Sequence, residues 1–461
     1  MKCNVFAVCC SLSVLVGCAN IDPVPRPDID AGLTWNSALA ASGASEDGSP
    51  SANWWQTFSA EPLDTLMRQA LQNSPDLMAA EQRLRQADWQ MRATGASVYP
   101  SVNVGAATSR RSNQDIEGDS RSSESTSTNL GLSYELDLWG RVAAERASAR
   151  AGFRASEQDY RAAYLSLTGA IANTWFEYQA LQARIQIALD NIALSEQVMN
   201  VVQVRYRNGV ASAADVARQR TNLLSQKAQL PPLEYQMEQT RRALAVLVGE
   251  VPQTLSVEPQ ALSDIRLPEL KAQPPVEAIF ARPDVARAEA QLQAADADVA
   301  VARRAFLPSL SLSAGFSLST AELFSLSDAR ESDNTGLSLS QLIFDGGRTR
   351  ARSRQAEARR QELLAQYRQT LLVALQETDD ALGRVTLEAG QEISDQAILA
   401  EAERALRLTE VRYREGSDDL LTLIDAQRSL FQARERLVER RLDRLSAAVT
   451  LYQSLGGSGQ Q

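Results

Sequence analysis

Histidine is absent from all 461 residues. That removes Ser-His-Asp catalysis and takes away the commonest nitrogen ligand of zinc, so neither a catalytic constellation nor a metal site is expected. There are four cysteines, and Cys3, Cys9 and Cys10 crowd into the first ten residues; a chain cleaved beyond them keeps only Cys18 and can form no internal disulfide. No GxxxxGK[ST] occurs, and Gly346-Gly347-Arg348 is too short to be a phosphate loop. Energy for any transport must therefore come from elsewhere. No basic patch or stripe stands out, and a formal net charge of −10 argues against a general nucleic-acid binder. No run of about 18 apolar residues is present, so no transmembrane helix is expected.

Proline is missing from Arg350 to Arg414, and glycine occurs there only at Gly383 and Gly390. Leu364, Tyr367, Leu371, Ala374, Ala381 and Val385 recur at three- and four-residue steps, which predicts a long helix with a coiled-coil-like seam. At ~1.5 Å per residue it would reach roughly 95 Å and would need partners along its length. A second such run extends from Arg141 to Arg207.

The two runs belong to a repeat. Trp139–Arg141 returns as Gly346–Arg348, Tyr206–Gly209 as Tyr413–Gly416, Tyr99–Ser101 as Leu307–Ser309, Ser74–Asp76 as Arg282–Asp284, and Leu247–Gly249 as Leu455–Gly457, each 207 or 208 residues later. Five landmarks in one register indicate internal duplication.

Period two takes over elsewhere. Leu130, Leu132, Tyr134, Leu136 and Leu138 alternate with Gly131, Ser133, Glu135 and Asp137; Leu310, Leu312, Ala314, Phe316 and Leu318 alternate with small polar residues. Val102, Val104 and Ala106, and Leu337 and Leu339, follow more weakly. Each half then carries two strands long enough to cross a tilted bilayer, joined by polar loops at 110–127 and 320–335. Hairpins on a soluble domain are the other reading. Four strands cannot close a membrane barrel, and an open edge is not tolerated in lipid, so membrane-spanning strands require several chains to share one barrel. Glu135 and Asp137 would then face the lumen.

At the amino terminus, Lys2 precedes an apolar core from Val5 to Val16, a signal-peptide pattern. Leu15-Val16-Gly17-Cys18 resembles a bacterial lipobox, which implies acylation of Cys18; no other cofactor is implied. Ala19, rather than aspartate, follows, which by the same resemblance sends the product to the outer membrane. The boundaries read as a signal peptide at 1–17, a lipid-anchored extended tether at 18–60, a first repeat at 61–250 with strands near 102–110 and 129–138, a linker at 251–276, a second repeat at 277–457 with strands near 309–318 and 336–344, and a tail at 458–461. Trp54, Trp55 and Phe58 read as a packing anchor, with an aromatic binding site as the alternative. Pro231-Pro232 is expected to kink or break the helix starting near Ser212.

The lipobox, Ala281–Asp284 (ARPD), Phe306–Ser309 (FLPS), Leu342–Arg348 (LIFDGGR) and above all Tyr413–Phe431 (YREGSDDLLTLIDAQRSLF) together resemble the outer-membrane efflux channel family, the TolC/OprM-like proteins, in its lipid-anchored branch. The resemblance covers nearly all of the chain beyond the signal peptide. It implies a mixed α+β membrane protein: a homotrimer with a 12-strand β-barrel, continued by a 12-helix periplasmic α-barrel and an equatorial domain. It also implies a periplasmic adaptor and an inner-membrane transporter as partners, outer-membrane lipid around the barrel, and no enzymatic activity. By the same resemblance, Leu421 and Asp425 line a periplasmic gate, while Asp215 and Tyr413 make phenol-to-carboxylate links between neighbouring helix pairs. Asp418 and Asp419 depart from members that carry a basic latch just after the turn glycine; they are gate-adjacent acids or simply favour a helix start. A lipid-anchored coiled-coil adaptor and a structural lipoprotein without a pore are the alternatives. The first would need one helical hairpin between Gly-rich β-domains.

Overall fold

A computed structural model describes Trp35 and residues 53–114, 120–268 and 275–457. Cys18, the signal peptide and most of the tether lie outside the described residues. The elements are α1 (Glu61–Asn73), α2 (Pro75–Gly95), β1 (Ser101–Gln114), β2 (Ser120–Leu136), α3 (Arg141–Arg207), α4 (Ala213–Val248), α5 (Pro275–Phe280), α6 (Pro283–Arg304), β3 (Ser309–Thr320), β4 (Arg330–Ser340), α7 (Arg348–Arg414) and α8 (Leu420–Ser454). Among the described residues no helix is long and apolar enough to cross a membrane. Two compact units result among the described residues: 83–157 with 287–368, and 53–82 with 158–286 and 369–457.

The first unit holds a four-stranded antiparallel sheet in the order β1-β2-β3-β4. Its register puts the alternating apolar residues side by side. Val104 pairs with Leu130, and Leu130 with Phe316; Val102 pairs with Leu132, and Leu132 with Ala314; Leu136 pairs with Leu310, and Leu310 with Leu339. One face is therefore apolar across all four strands, and many of its side chains are exposed, Val104 and Leu339 among them. The other face carries Ser133, Ser311, Ser313 and Ser338.

The strands outrun the apolar alternation. Residues 110–114 and 120–127, expected as loop, are paired strand: Arg110 opposes Glu124 across a 3.4 Å ion pair, and the hydroxyls of Thr108 and Thr126 meet at 3.1 Å. Likewise β3 continues to Thr320, and β4 begins at Arg330. Polar strands satisfy their backbone as well as apolar ones do, and hydrophobic alternation does not register them. At the other end β2 stops at Leu136 and β4 at Ser340, short of the expected 138 and 344.

The second unit centres on an aromatic core. Trp54, Trp55 and Phe58 form a 3₁₀ turn and are buried, Trp54 stacking on Tyr452 at 5.3 Å and Phe58 lying 5.2 Å from Phe176. This is the packing role. The long helices α7 and α8 are tied by buried carboxylates: Glu388 and Asp395 receive Arg440 at 2.7 and 3.3 Å, while Glu392 receives Arg441 at 3.3 Å and also Arg444. Arg441 then reaches the Ile265 carbonyl at 2.7 Å and pins the inter-repeat segment.

Pro231 and Pro232 do not break α4, which runs through both. Each removes one N–H donor, but Lys227 and Ala228, whose carbonyls lose those partners, lie on the exposed side where water can serve them.

The two halves of the chain run through elements of matching kind and length. Helices α3 and α7 have 67 residues each and start at Arg141 and Arg348. Gly249 and Gly456 both have positive φ, 81° and 84°, and a Cβ on them would meet the backbone oxygens of Asn73 at 2.3 Å and Ala281 at 2.7 Å. Gly456, rather than Gly457, is thus the counterpart of Gly249. Gly249→Ala should lower stability by about 2 kcal/mol through left-handed strain and this backbone clash. Gly152→Ala, in a helix with open space around it, should be neutral or stabilising, and thermal unfolding of the two variants checks the contrast.

Candidate functional site at the helix tips

The α3–α4 and α7–α8 turns are built alike. Gly209 and Gly416 take φ of 73° and 79°, which only glycine adopts without strain, and the N–H groups of Val210 and Ser417 close on the carbonyls of Arg205 and Arg412, each at 2.9 Å. The caps then differ by a swap. In the first turn, the hydroxyl of Ser212 accepts from the Asp215 N–H at 3.1 Å while the Asp215 carboxylate accepts from the Ser212 N–H at 2.9 Å. In the second, the acid stands at the cap itself: Asp419 accepts from the N–H and hydroxyl of Thr422, both at 2.8 Å.

These bonds set the local electrostatics. The Ser212 hydroxyl and backbone N–H hold the Asp215 carboxyl below the usual carboxylate range, and the Thr422 N–H and hydroxyl do the same for Asp419. A carboxyl depressed on folding stabilises above its unfolded value, near 3.8, and that contribution is lost as pH falls through the folded one. The Ser212 and Thr422 amides, which donate to the two carboxylates, should therefore lose exchange protection below about pH 4, with Ser212→Ala weakening the first cap by about 1 kcal/mol at neutral pH. Amide exchange at the two positions, followed against pH, reads both effects.

The remaining residues of the tip divide between local and cross-turn contacts. Asp418 is gripped by Arg412 of its own turn at 2.9 and 3.1 Å. Arg205, the counterpart of Arg412 in the first half, instead crosses to the second: its guanidinium lies 4.7 Å from the Tyr413 ring and donates to the Tyr413 carbonyl at 2.7 Å. Tyr413 is buried, and burial pushes its phenol up, opposed by Arg205 and assisted by the charge of Asp215. Asp215 is thus near Tyr413, but its carboxylate closes on Ser212. Sequence reasoning passed over Arg205; the repeat offset linking it to Arg412 was the available signal.

Leu421 and Asp425 sit one turn apart near the start of α8. Leu421 is 48 % exposed and Asp425 lies in solvent, 3.7 Å from Arg428. Both are presented outward by the chain. Around them, Val198, Val202, Leu420, Leu423, Ile424 and Leu430 form a closed apolar cluster that fixes the backbone.

Glu135 and Asp137, expected to face the lumen from the polar side of the strand, are engaged at the strand-to-helix corner. Glu135 chelates Arg141 at 3.1 and 2.6 Å, and Asp137, past the strand end, accepts from the N–H groups of Val142 at 3.1 Å and Ala143 at 2.8 Å. The orphan amides of a helix start draw the carboxylate out of the strand. Asp345 does the same for α7 through the N–H groups of Gly347 and Thr349.

A sheet apolar on one face, joined to paired helices of 67 residues, is the build of an outer-membrane channel subunit. The profile of the outer membrane efflux protein family matches this chain twice, at residues 66–250 and 275–457. The chain belongs to that family, and it is an outer-membrane protein of efflux. It is 38 % identical over 460 residues to the pyoverdine export outer membrane protein OpmQ of Pseudomonas aeruginosa, covering 98 % of this chain and 96 % of that one. It is 28 % identical to the cation efflux system protein CusC of Escherichia coli K12, covering 99 % of both. Among solved structures, the outer-membrane channel OprN superposes with a TM-score of 0.87 at 28 % identity, over 96 % of this chain and 99 % of that one.

Proposed function

We propose that the protein is the passive exit duct of a tripartite efflux pump, working as a homotrimer. The observation that carries this reading is the sheet: β1 and β4 each have one edge with no strand partner among the described residues, and the face that crosses all four strands is apolar. Open edges cannot persist in lipid, so β1 of one copy must pair with β4 of the next until the ring closes. Three copies, the number the family resemblance implies, give a twelve-strand barrel with its apolar face toward lipid, and the long helices continue it as a tunnel. Acylation at Cys18 adds a lipid anchor.

In this assembly the helix tips converge on the threefold axis. Leu421 forms an apolar constriction and Asp425 a ring of carboxylates that favours cations, while the Arg205–Tyr413 clamp and the Arg412–Asp418 pair keep each tip in its closed form. An adaptor and an inner-membrane transporter supply the docking and the energy. Relatives are named for export of pyoverdine in one case and of cations in another, and selection between such cargoes belongs to the transporter.

Single cysteines introduced along β1 and β4 test the closure. Oxidation in outer-membrane fractions should yield linked dimers and trimers for some β1–β4 combinations and none for β2–β3 combinations between copies. Monomers alone, in a protein that is extracted without detergent and never conducts ions across a bilayer, would overturn the duct.

A further inference from the structure

The two strand-to-helix corners share one backbone plan and differ in charge. In the first, Arg141 is neutralised by Glu135, two residues before the capping Asp137, and by Glu145, four residues after the arginine. In the second, the position two before the capping Asp345 is Ile343, and the position four after Arg348 is Arg352. Both acids are gone. Residues 348–360 carry six arginines and a single acid, Glu357, which Arg303 and Arg354 already share. Arg348, Arg350 and Arg352 are exposed; Arg350 and Arg352 have no acidic partner among the described residues, and the carboxylate of Asp345 beside Arg348 is taken up by capping.

Next to this charge stands an apolar one-two. Ile343 and Phe344 are each 87 % exposed, and they lie four and five residues past Leu339 of the apolar sheet face, beyond the end of β4. In water that exposure is unfavourable for two large side chains.

We propose that residues 342–352 form a docking site for anionic phospholipid headgroups of the leaflet next to the helices. Ile343 and Phe344 enter the acyl boundary, and Arg348, Arg350 and Arg352 hold the phosphates. Apolar anchors adjoining unneutralised guanidinium groups match an amphiphile with a negative head. The site rests on the membrane-channel reading above.

The test uses the full-length protein in nanodiscs or detergent. Wild type should retain phosphatidylglycerol over phosphatidylcholine by tenfold or more, at about fivefold per basic group near a charged surface. The triple variant R348Q/R350Q/R352Q should lose that preference, its lysine counterpart should keep it, and I343S/F344S should weaken retention of both lipids, all with trimer and conductance unchanged. Equal retention by wild type and the glutamine variant would overturn the site while conductance in phosphatidylcholine alone upholds the channel. Trimer loss in the glutamine variant would assign the arginines to a subunit contact and likewise overturn it. A protein that conducts in no lipid would remove the channel reading itself and this site with it.

Discussion

Leu421→Ala and Asp425→Ala channels are expected to conduct severalfold more than wild type in planar bilayers, with Asp425→Ala also losing preference for cations. A narrow apolar ring resists water, so shortening its side chains widens and wets the path. A carboxylate ring concentrates cations at the mouth, and its removal lowers that selectivity. Neither change should affect folding, because Leu421 is half exposed and the Asp425–Arg428 pair at 3.7 Å is solvent-screened and worth little. Heat-resistance of the trimer on gels supplies that control. Unchanged single-channel conductance in both variants would remove these residues from the gate.

Glu392→Ala should cause a large loss of stability, about 3 kcal/mol. Its carboxylate is almost completely shielded and receives both Arg441 and Arg444, so deleting it leaves two largely covered guanidinium groups without an anion. Arg441 also holds the Ile265 carbonyl, so the inter-repeat segment should loosen along with the α7–α8 contact. Chemical denaturation, followed by Trp fluorescence, reads the effect. Glu401→Ala, exposed on the same helix, is the comparison expected to change nothing measurable.

The long helices were legible because a seam repeated over many turns leaves no other period, and α3 matches the expected 141–207. The strand faces were legible for the same reason. Strand lengths were not: hydroxyl-bearing residues such as Thr108 and Thr126 pair across the ladder without any apolar alternation to announce them. Nor was the fate of Glu135 and Asp137, since a helix start competes for carboxylates and the pattern of a strand does not show the demand of the next element. Pro231-Pro232 does not end its helix, because the cost of a helical proline depends on whether the freed carbonyl meets water. At the tips, the helix-start reading offered for Asp419 holds, but the sequence did not show that Asp215 is occupied in a cap or that Arg205 clamps Tyr413. The net acidic charge of the whole chain also concealed the arginine-rich start of α7.

The polar extension of the β1–β2 ribbon, from Thr108 to Gln114 and from Ser120 to Thr126, has neither a greasy side to bury nor a helix to support. In the duct proposed above, a foreign epitope grafted there would sit on the outside of living cells, where antibody reaches it without permeabilisation. The ribbon thus offers a handle for counting these pores on single bacteria while leaving the duct and its tips untouched.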